Sequence, residues 1–466
     1  MGISLRILSS IHPLVCHARR QTPPGPRPRG LLGALPEISH GRLFELLQHM
    51  WRSYGDLSSV RVGNRILVSV THPEHIQRVL AGRRETYTKA SHRAAVLLGD
   101  GLPASNGESW SRQRRLLQPR FAIRSLGYFE ANIADAIARV IDRWERAADH
   151  AGILDIDLEM TELTLDLSLR ALSDDYLSDE HDGLRRAVVD AVDFVAASGQ
   201  LFRPPLALPT QRNQRFRAAL AELHSFVDRS IASHRAQPSR GDLLSYLIES
   251  QAGEASWLSD SLIRDEAISL LLGAYDSTAR ALTWTWALLA QHREARKRLH
   301  AEVDQFGGRI PLTGDRNAIP WTRALIHESL RLYPPFWVFP RHVACDDELG
   351  GYRIPAGATV MLTPYLTHRH PGLWRDPERF DPERFLAGSD APTPARASSM
   401  YFGFGPRTCV GNHLALLEVS ATIAALSQHF ELQRVGAPPT PEFATTLRPR
   451  GGLRMMIRRR EGAAAA

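Results

Sequence analysis

Cysteine is scarce in this chain: Cys16, Cys345 and Cys409 are the whole supply in 466 residues. Three thiols so far apart cannot build a disulfide framework, so a reducing compartment is expected and a cysteine that matters serves chemistry. Lysine is scarcer still, with Lys89 and Lys297 alone beside a large arginine complement. No run approaches the ~20 apolar residues a bilayer crossing needs. The opening stretch MGISLRILSSIHPLVC is broken by Arg6, His12 and Pro13, so no transmembrane anchor is expected. A net charge of +7 raises the question of nucleic acid. The arginines are interleaved with acids and no nucleic-acid motif is present, which leaves a basic face for an acidic protein as the better use of the charge. The 43% hydrophobic and 23% charged fractions exclude a wholly disordered or fibrous chain.

Acids are missing as far as Glu37, and Arg6, Arg19, Arg20, Arg27 and Arg29 make the start basic, as in a mitochondrial transit peptide. PPGPRPRG at 23–30 reads instead as a stiff polyproline lead, so a cytoplasmic bacterial protein is the preferred expectation. Helical spacing covers 37–54, with Leu43, Leu46, Leu47 and Met50 on one face. SSVRVGNRILVSVT alternates as a hairpin around Gly63-Asn64. Helical patterns then dominate, over 127–149, 182–197, 212–235, 261–290 and 321–332. Strand character returns in GGYRIPAGATVMLTPY and LRPRGGLRMMIRR. The expectation is a mainly α protein with small β-sheets (α+β). A flexible lead over 1–30, one catalytic domain over 31–460 and a tail over 461–466 divide the chain.

The most informative stretch is YFGFGPRTCVGNHLALLEVS at 401–420. Glycines and a proline make a tight loop, one cysteine follows, and a helix starts after it. A cysteine near a helix N-terminus sits where unpaired N–H groups favour an anion, so Cys409 is expected as a metal-binding thiolate. Phe402, Gly405, Arg407, Cys409 and Gly411 match F-x-x-G-x-R-x-C-x-G, and the match continues through Ala415 and Glu418. This resembles the haem-binding loop of the cytochrome P-450 family. GFGPRT within it is no dinucleotide loop, because the third glycine and a βαβ unit are absent.

Other segments agree with the resemblance. HESLRLYPP is similar to the family's E-x-x-R helix, with Glu328 and Arg331 on one helical face. DPERFDPERF offers Arg379 and Arg384 as third partner, and the second copy matches better. The resemblance makes this triad a buried ionic fold lock. WSRQRRLLQPRF looks like the W-x-x-x-R helix, giving Trp110 and Arg114 as haem-propionate contacts, with Arg341 of PRHVACDD as another. The family's A-G-x-[D/E]-T-T distal stretch is matched loosely by LLGAYDSTARALTW. Gly273 and Ala274 stand in reversed order, Asp276 is the acid, Ser277 takes the first threonine position and Thr278 the second. The resemblance gives Asp276 and Ser277 proton delivery to dioxygen, while Thr278 points about 100° further round.

The resemblance thus implies haem b with Cys409 as axial ligand. It implies electrons from NAD(P)H through an external ferredoxin and its reductase, and one oxygen atom from O2 inserted into a C–H bond. The substrate expected is a hydrophobic small molecule such as a terpenoid, fatty acyl or polyketide-like metabolite. Trp337, Val338 and Phe339 are expected to wall its pocket, and residues 91–106 and 195–210 to cover it. The atypical distal stretch keeps a second reading open, a haem-thiolate enzyme with diverted chemistry such as dehydration, isomerisation or group transfer. A non-catalytic haem carrier is the third.

Overall fold

The computed structural model describes residues 21–27, 30, 32–39, 41–82, 85–89, 95–150, 152–178, 181–196, 206–236, 240–387 and 400–460. Most of the 195–210 cover, part of the 91–106 loop, Cys16 and the 461–466 tail lie outside them. The helices that place the site are α1 (Leu43–Tyr54), α2 (Gly107–Leu117), α3 (Gly127–Ala148), α4 (Ile156–Ser173), α5 (Asp182–Ala196), α6 (Gln211–Ala236), α7 (Leu243–Ala252), α8 (Asp260–Gln291), α9 (Arg293–Val303), α10 (Pro320–Leu332) and α11 (Asn412–His429). The strands are β1 (Leu57–Val62), β2 (Arg65–Val70), β3 (Tyr87–Thr88), β4 (Ile153–Asp155), β5 (Phe339–Val343), β6 (Thr359–Leu362), β7 (Phe430–Arg434), β8 (Leu447–Pro449) and β9 (Arg454–Arg459).

The continuous helix expected over 37–54 is instead two, Leu35–Ser39 and α1, with Gly41 at φ +75 between them. That backbone conformation leaves the right-handed helical region, so the turn cannot be threaded through it. The hairpin forms as expected, Val62 opposite Arg65 with Gly63 at φ +60. Its strands open a five-stranded sheet ordered β1-β2-β6-β5-β3, in which β2 and β6 run parallel and the other pairs antiparallel. A second sheet, β4-β9-β7, ties the chain's C-terminal strand to the start of α4.

The expected flexible lead over 1–30 is shorter than drawn. Ser59 donates its N–H to Pro24 O at 2.8 Å and its hydroxyl to Pro23 O at 2.5 Å, and Arg353 N–H reaches Gln21 O at 3.2 Å. Residues 21–27 therefore lie along the outer edge of β1.

The 32-residue α8 is the axle of the helical body. Ser259 caps it by accepting from Leu262 N–H at 3.1 Å. Its C-terminal half is apolar on nearly every face because α4, α10 and α11 pack around it. Trp284 stacks flat on Tyr333 at 3.9 Å, and its indole N–H donates to Leu447 O. At the head of α10, Pro320 sits in the first turn while the Glu302 carboxylate accepts from Trp321 and Thr322 N–H groups at 2.6 and 2.8 Å.

Candidate active site

The cysteine loop is held by its own backbone. Cys409 N–H donates to Phe402 O at 2.8 Å, and Thr408 bonds Gly405 O through both its N–H and its hydroxyl. Gly405 has φ +70, and a side chain there would meet Leu80 O at 2.9 Å, so glycine is required twice over. Gly411 is the N-cap of α11, which begins three residues beyond the sulfur. The Gly411 N–H favours an anionic sulfur, as do Arg114 and Lys89, but burial outweighs all three and pushes the Cys409 thiol up. The expectation that the helix terminus alone secures a thiolate is therefore corrected. Desolvation is the larger effect, and a metal cation at the sulfur is what would keep it ionised. The sulfur remains accessible at the floor of a cleft that protein encloses.

Around that cleft stand four cations. Arg341, on β5, is pulled down to about 10 by burial, and its guanidinium donates to Pro340 O at 2.8 Å. Arg114 reaches Thr408 O at 2.7 Å and Gln118 Oε1 at 3.1 Å. Arg407 lies 4.0 Å over the ring of Trp110 and donates to Ser105 O and Asn106 Oδ1. Trp110 thus acts by seating Arg407. Lys89 donates to Pro103 O at 2.9 Å and is pushed down to about 7, by burial and then by Arg341 and Arg407. Among the described residues no carboxylate pairs with Lys89, Arg114 or Arg341. Buried cations crowded without a counter-charge are costly unless an anion completes them. One soft sulfur and cations enough for two carboxylates fit haem, whose iron Cys409 would hold and whose propionates the cations would bind. Lys89 escaped the sequence reading, and its rarity in the chain was its only signal.

Glu328, Arg331 and Arg384 meet in the core away from this cleft. Arg331 grips both Glu328 oxygens, at 2.6 and 2.8 Å, and Arg384 Nε reaches Oε1 at 3.2 Å. Arg331 spends its other N–H groups on the carbonyls of His368, Pro377 and Arg379. Arg379 contributes that carbonyl, and Arg384 the guanidinium.

The distal face is the exposed notch in the middle of α8. Gly273 is exposed, Ala274 and Ser277 are half-buried, and a side chain built at Gly273 would meet nothing within 4 Å. Ser277 Oγ back-bonds to Gly273 O at 3.2 Å. Asp276 is not beside that hydroxyl. Its carboxylate accepts from Thr446 Oγ1 at 2.6 Å and faces Arg280 at 3.3 Å and Arg448 at 3.6 Å. Arg280 is itself paired with Asp157 and Thr161 on α4. The paired acid and hydroxyl expected for proton delivery are thus separated: Asp276 belongs to an ionic network between α8, α4 and β8. Thr278 is buried on another face.

The pocket wall is also revised. Trp337 is 3% exposed in a small core with Phe44 and Leu47, and its indole N–H donates to Ala444 O at 2.8 Å. It is a packing residue. Val338 packs on that same core and Phe339 on the sheet core. Phe336, 39% exposed and 6.5 Å from the Phe339 ring, is the more available aromatic of the segment.

A sulfur-ligated haem site within a helical body defines a haem-thiolate oxidoreductase. The family model for cytochrome P450 matches residues 23–455, and the chain belongs to that family of haem-dependent monooxygenases. It is 35% identical to "Cyclooctat-9-en-7-ol 5-monooxygenase" of Streptomyces melanosporofaciens over 82% of this chain and 84% of that one. It is 31% identical to "Pentalenene oxygenase" of Streptomyces avermitilis, over 90% and 94%. The crystal structure of "cytochrome P450DA heme domain" superposes with a TM-score of 0.85 at 24% identity, covering 95% of this chain and 98% of that one. Among the described residues no helix is long and apolar enough to cross a membrane.

Proposed function

We propose that this protein is a bacterial, cytoplasmic monooxygenase that inserts one oxygen atom from O2 into a C–H bond of a terpenoid. The observation that carries the reading is the accessible Cys409 sulfur among Lys89, Arg114 and Arg341, for which no carboxylate partner is seen among the described residues. Relatives named for oxidation of a terpene and a terpenoid alcohol favour that substrate class. Haem b bound there would supply the oxygen-activating iron. Cys409 holds the metal; Lys89, Arg114, Arg341 and Arg407 hold the propionates; Phe402 and Gly411 shape the sulfur's surroundings. Asp276 and its partners fix the helix whose notch admits oxygen and substrate.

Electrons come from NAD(P)H through a ferredoxin and its reductase. The surface beside the cysteine helix suits an acidic carrier: Leu126, Leu312 and Leu416 floor a groove rimmed by Arg316 and Arg323. Neither arginine has a carboxylate partner among the described residues. Burial and the field of Arg323 and Arg316 push His327 at its base down to about 4.

The reduced carbon monoxide spectrum tests the thiolate, and Cys409→Ser should abolish its characteristic band and all oxygenation. Pentalenene and cyclooctat-9-en-7-ol, supplied with a surrogate ferredoxin pair, should shift the haem absorbance and yield a product one oxygen heavier. A second reading, oxygen-independent haem-thiolate chemistry, is favoured by the withdrawal of Asp276 from Ser277. Turnover under anaerobic conditions without reductant would select it.

A further inference from the structure

With Asp276 engaged elsewhere, the notch needs another source of protons, and one carboxylate on α8 is unused. Glu266 is 1% exposed, its Oε2 accepts from Leu102 N–H at 3.2 Å, and its Oε1 has no partner. Ser269, 5% exposed, is likewise buried with an unsatisfied hydroxyl. Glu266, Ser269, Gly273 and Ser277 are spaced i, i+3, i+7 and i+11, which sets them on one helical face leading to the notch. At ~1.5 Å rise per residue the steps between them are about 4.5 and 6 Å. The Ser277-to-Gly273 O bond spans the last one. Two stretches remain for water: about 4.5 Å of rise from Glu266 to Ser269 and, because a carbonyl accepts but does not pass on a proton, about 12 Å from Ser269 to Ser277.

We propose that Glu266 is the proton-holding residue of this enzyme and acts through Ser269 and Ser277. The inference rests on the monooxygenase reading above. A proton leaves Glu266 Oε1 for Ser269 Oγ by way of water, Ser269 passes its own proton along a file of waters beside Gly273 to Ser277 Oγ, and Ser277 releases its hydroxyl proton to the acceptor in the notch. No side chain changes oxidation state, and Glu266 is recharged from solvent. Asp265, half-buried beside Glu266, accepts from Asp100 N–H at 2.9 Å, and Asp100 is exposed.

The loop of residues 99–102 covers the file. A side chain at Gly101 would fall on Ser269 Oγ and one at Gly99 on the Asp265 carboxylate, so backbone alone can lie this close. The charged groups facing the pair are Asp265 and Asp100, with Arg264 and His224 beyond Asp265. Burial raises Glu266 to about 7, reinforced by Asp265 and opposed by the Leu102 N–H. It therefore keeps its proton below about pH 7 and loses it above.

The test uses the haem-loaded enzyme and two variants. Glu266→Gln keeps an acceptor for Leu102 but holds no proton, and Ser269→Ala breaks the file without touching that bond. Without reductant or substrate, the infrared C=O stretch of a buried protonated carboxyl should disappear as pH rises through 7 in the natural protein. It should be missing in Glu266→Gln and present in Ser269→Ala. Buried Glu418, pushed up to about 8, contributes a separate band common to all three. Substrate-free oxygen uptake, driven by a surrogate ferredoxin pair at pH 6, should fall about tenfold or more in both variants, within the range of a lost general acid. A band unchanged in Glu266→Gln, or uptake within ~2-fold of the natural protein in both variants, overturns the proposal. Failure of the monooxygenase reading is distinguishable, because it shows first as a missing thiolate band in the carbon monoxide spectrum.

Discussion

Glu328, Arg331 and Arg384 on one hand, buried, and Lys89, Arg114 and Arg341 on the other, half-buried, are both clusters dominated by cations. The first is closed: Glu328, with Asp381 at 3.8 Å from Arg384, and several carbonyls answer both guanidinium groups. The second is open, its cations answered by amide and carbonyl oxygens alone, so the charge remains. The difference teaches how to separate a fold lock from a ligand site when the residue types are the same. A lock balances its charge internally, and a site leaves a surplus of the sign opposite to its ligand.

The contrast breaks most sharply at Glu328. Glu328→Ala strands two buried guanidinium groups and should cost about 3–5 kcal/mol. That is a large share of ordinary domain stability, and chemical denaturation would show it as a lower midpoint with or without haem. At the open cluster the same deletion should act on the ligand instead. Arg341→Ala removes a charge-assisted bond worth about 1.5–3 kcal/mol, roughly a tenfold or greater loss of haem affinity, measured by haem transfer to apomyoglobin. Lys89→Met should weaken haem retention too, yet stabilise the haem-free protein. Because the folded state depresses Lys89 from 10.5 to about 7, the unfolded chain binds the extra proton between those values. Stability of the haem-free protein therefore rises with pH across that window. Melting curves at pH 7 and 9 should show a smaller rise in Lys89→Met. The smallest effect belongs to Thr446→Val, which removes the 2.6 Å bond to Asp276. It should cost about 1.5 kcal/mol in a denaturation curve.

Much of this molecule is legible in its sequence where local pattern and structure coincide. The hairpin at Gly63-Asn64 and the helices Gly127–Ala148, Asp182–Ala196, Gln211–Ala236, Asp260–Gln291 and Pro320–Leu332 follow their periodicity, as the two strands of LRPRGGLRMMIRR do. α4 was not legible, because it is buried on nearly all faces and carries no amphipathic stripe. At the site, the cysteine loop is readable because its constraints are backbone constraints within ten residues. The role of Asp276 was not, since its partners Thr446 and Arg448 lie about 170 residues away and only the fold brings them near. Trp337 misled for a related reason: its ring is claimed by Phe44 and Leu47, which lie far from it in the sequence.

The strip of chain along β1 bears on how the protein behaves once trimmed. β1 is the last strand of its sheet, and the segment lying on it is rich in Pro23, Pro24 and Pro26, which cannot donate to a further strand. Cutting the chain after Pro26 would bare the Ser59 N–H on that edge, while Ala34 N–H keeps its bond to Arg61 O. Such a preparation should keep its colour and still precipitate as its concentration is raised, because the exposed margin invites self-association far from the iron.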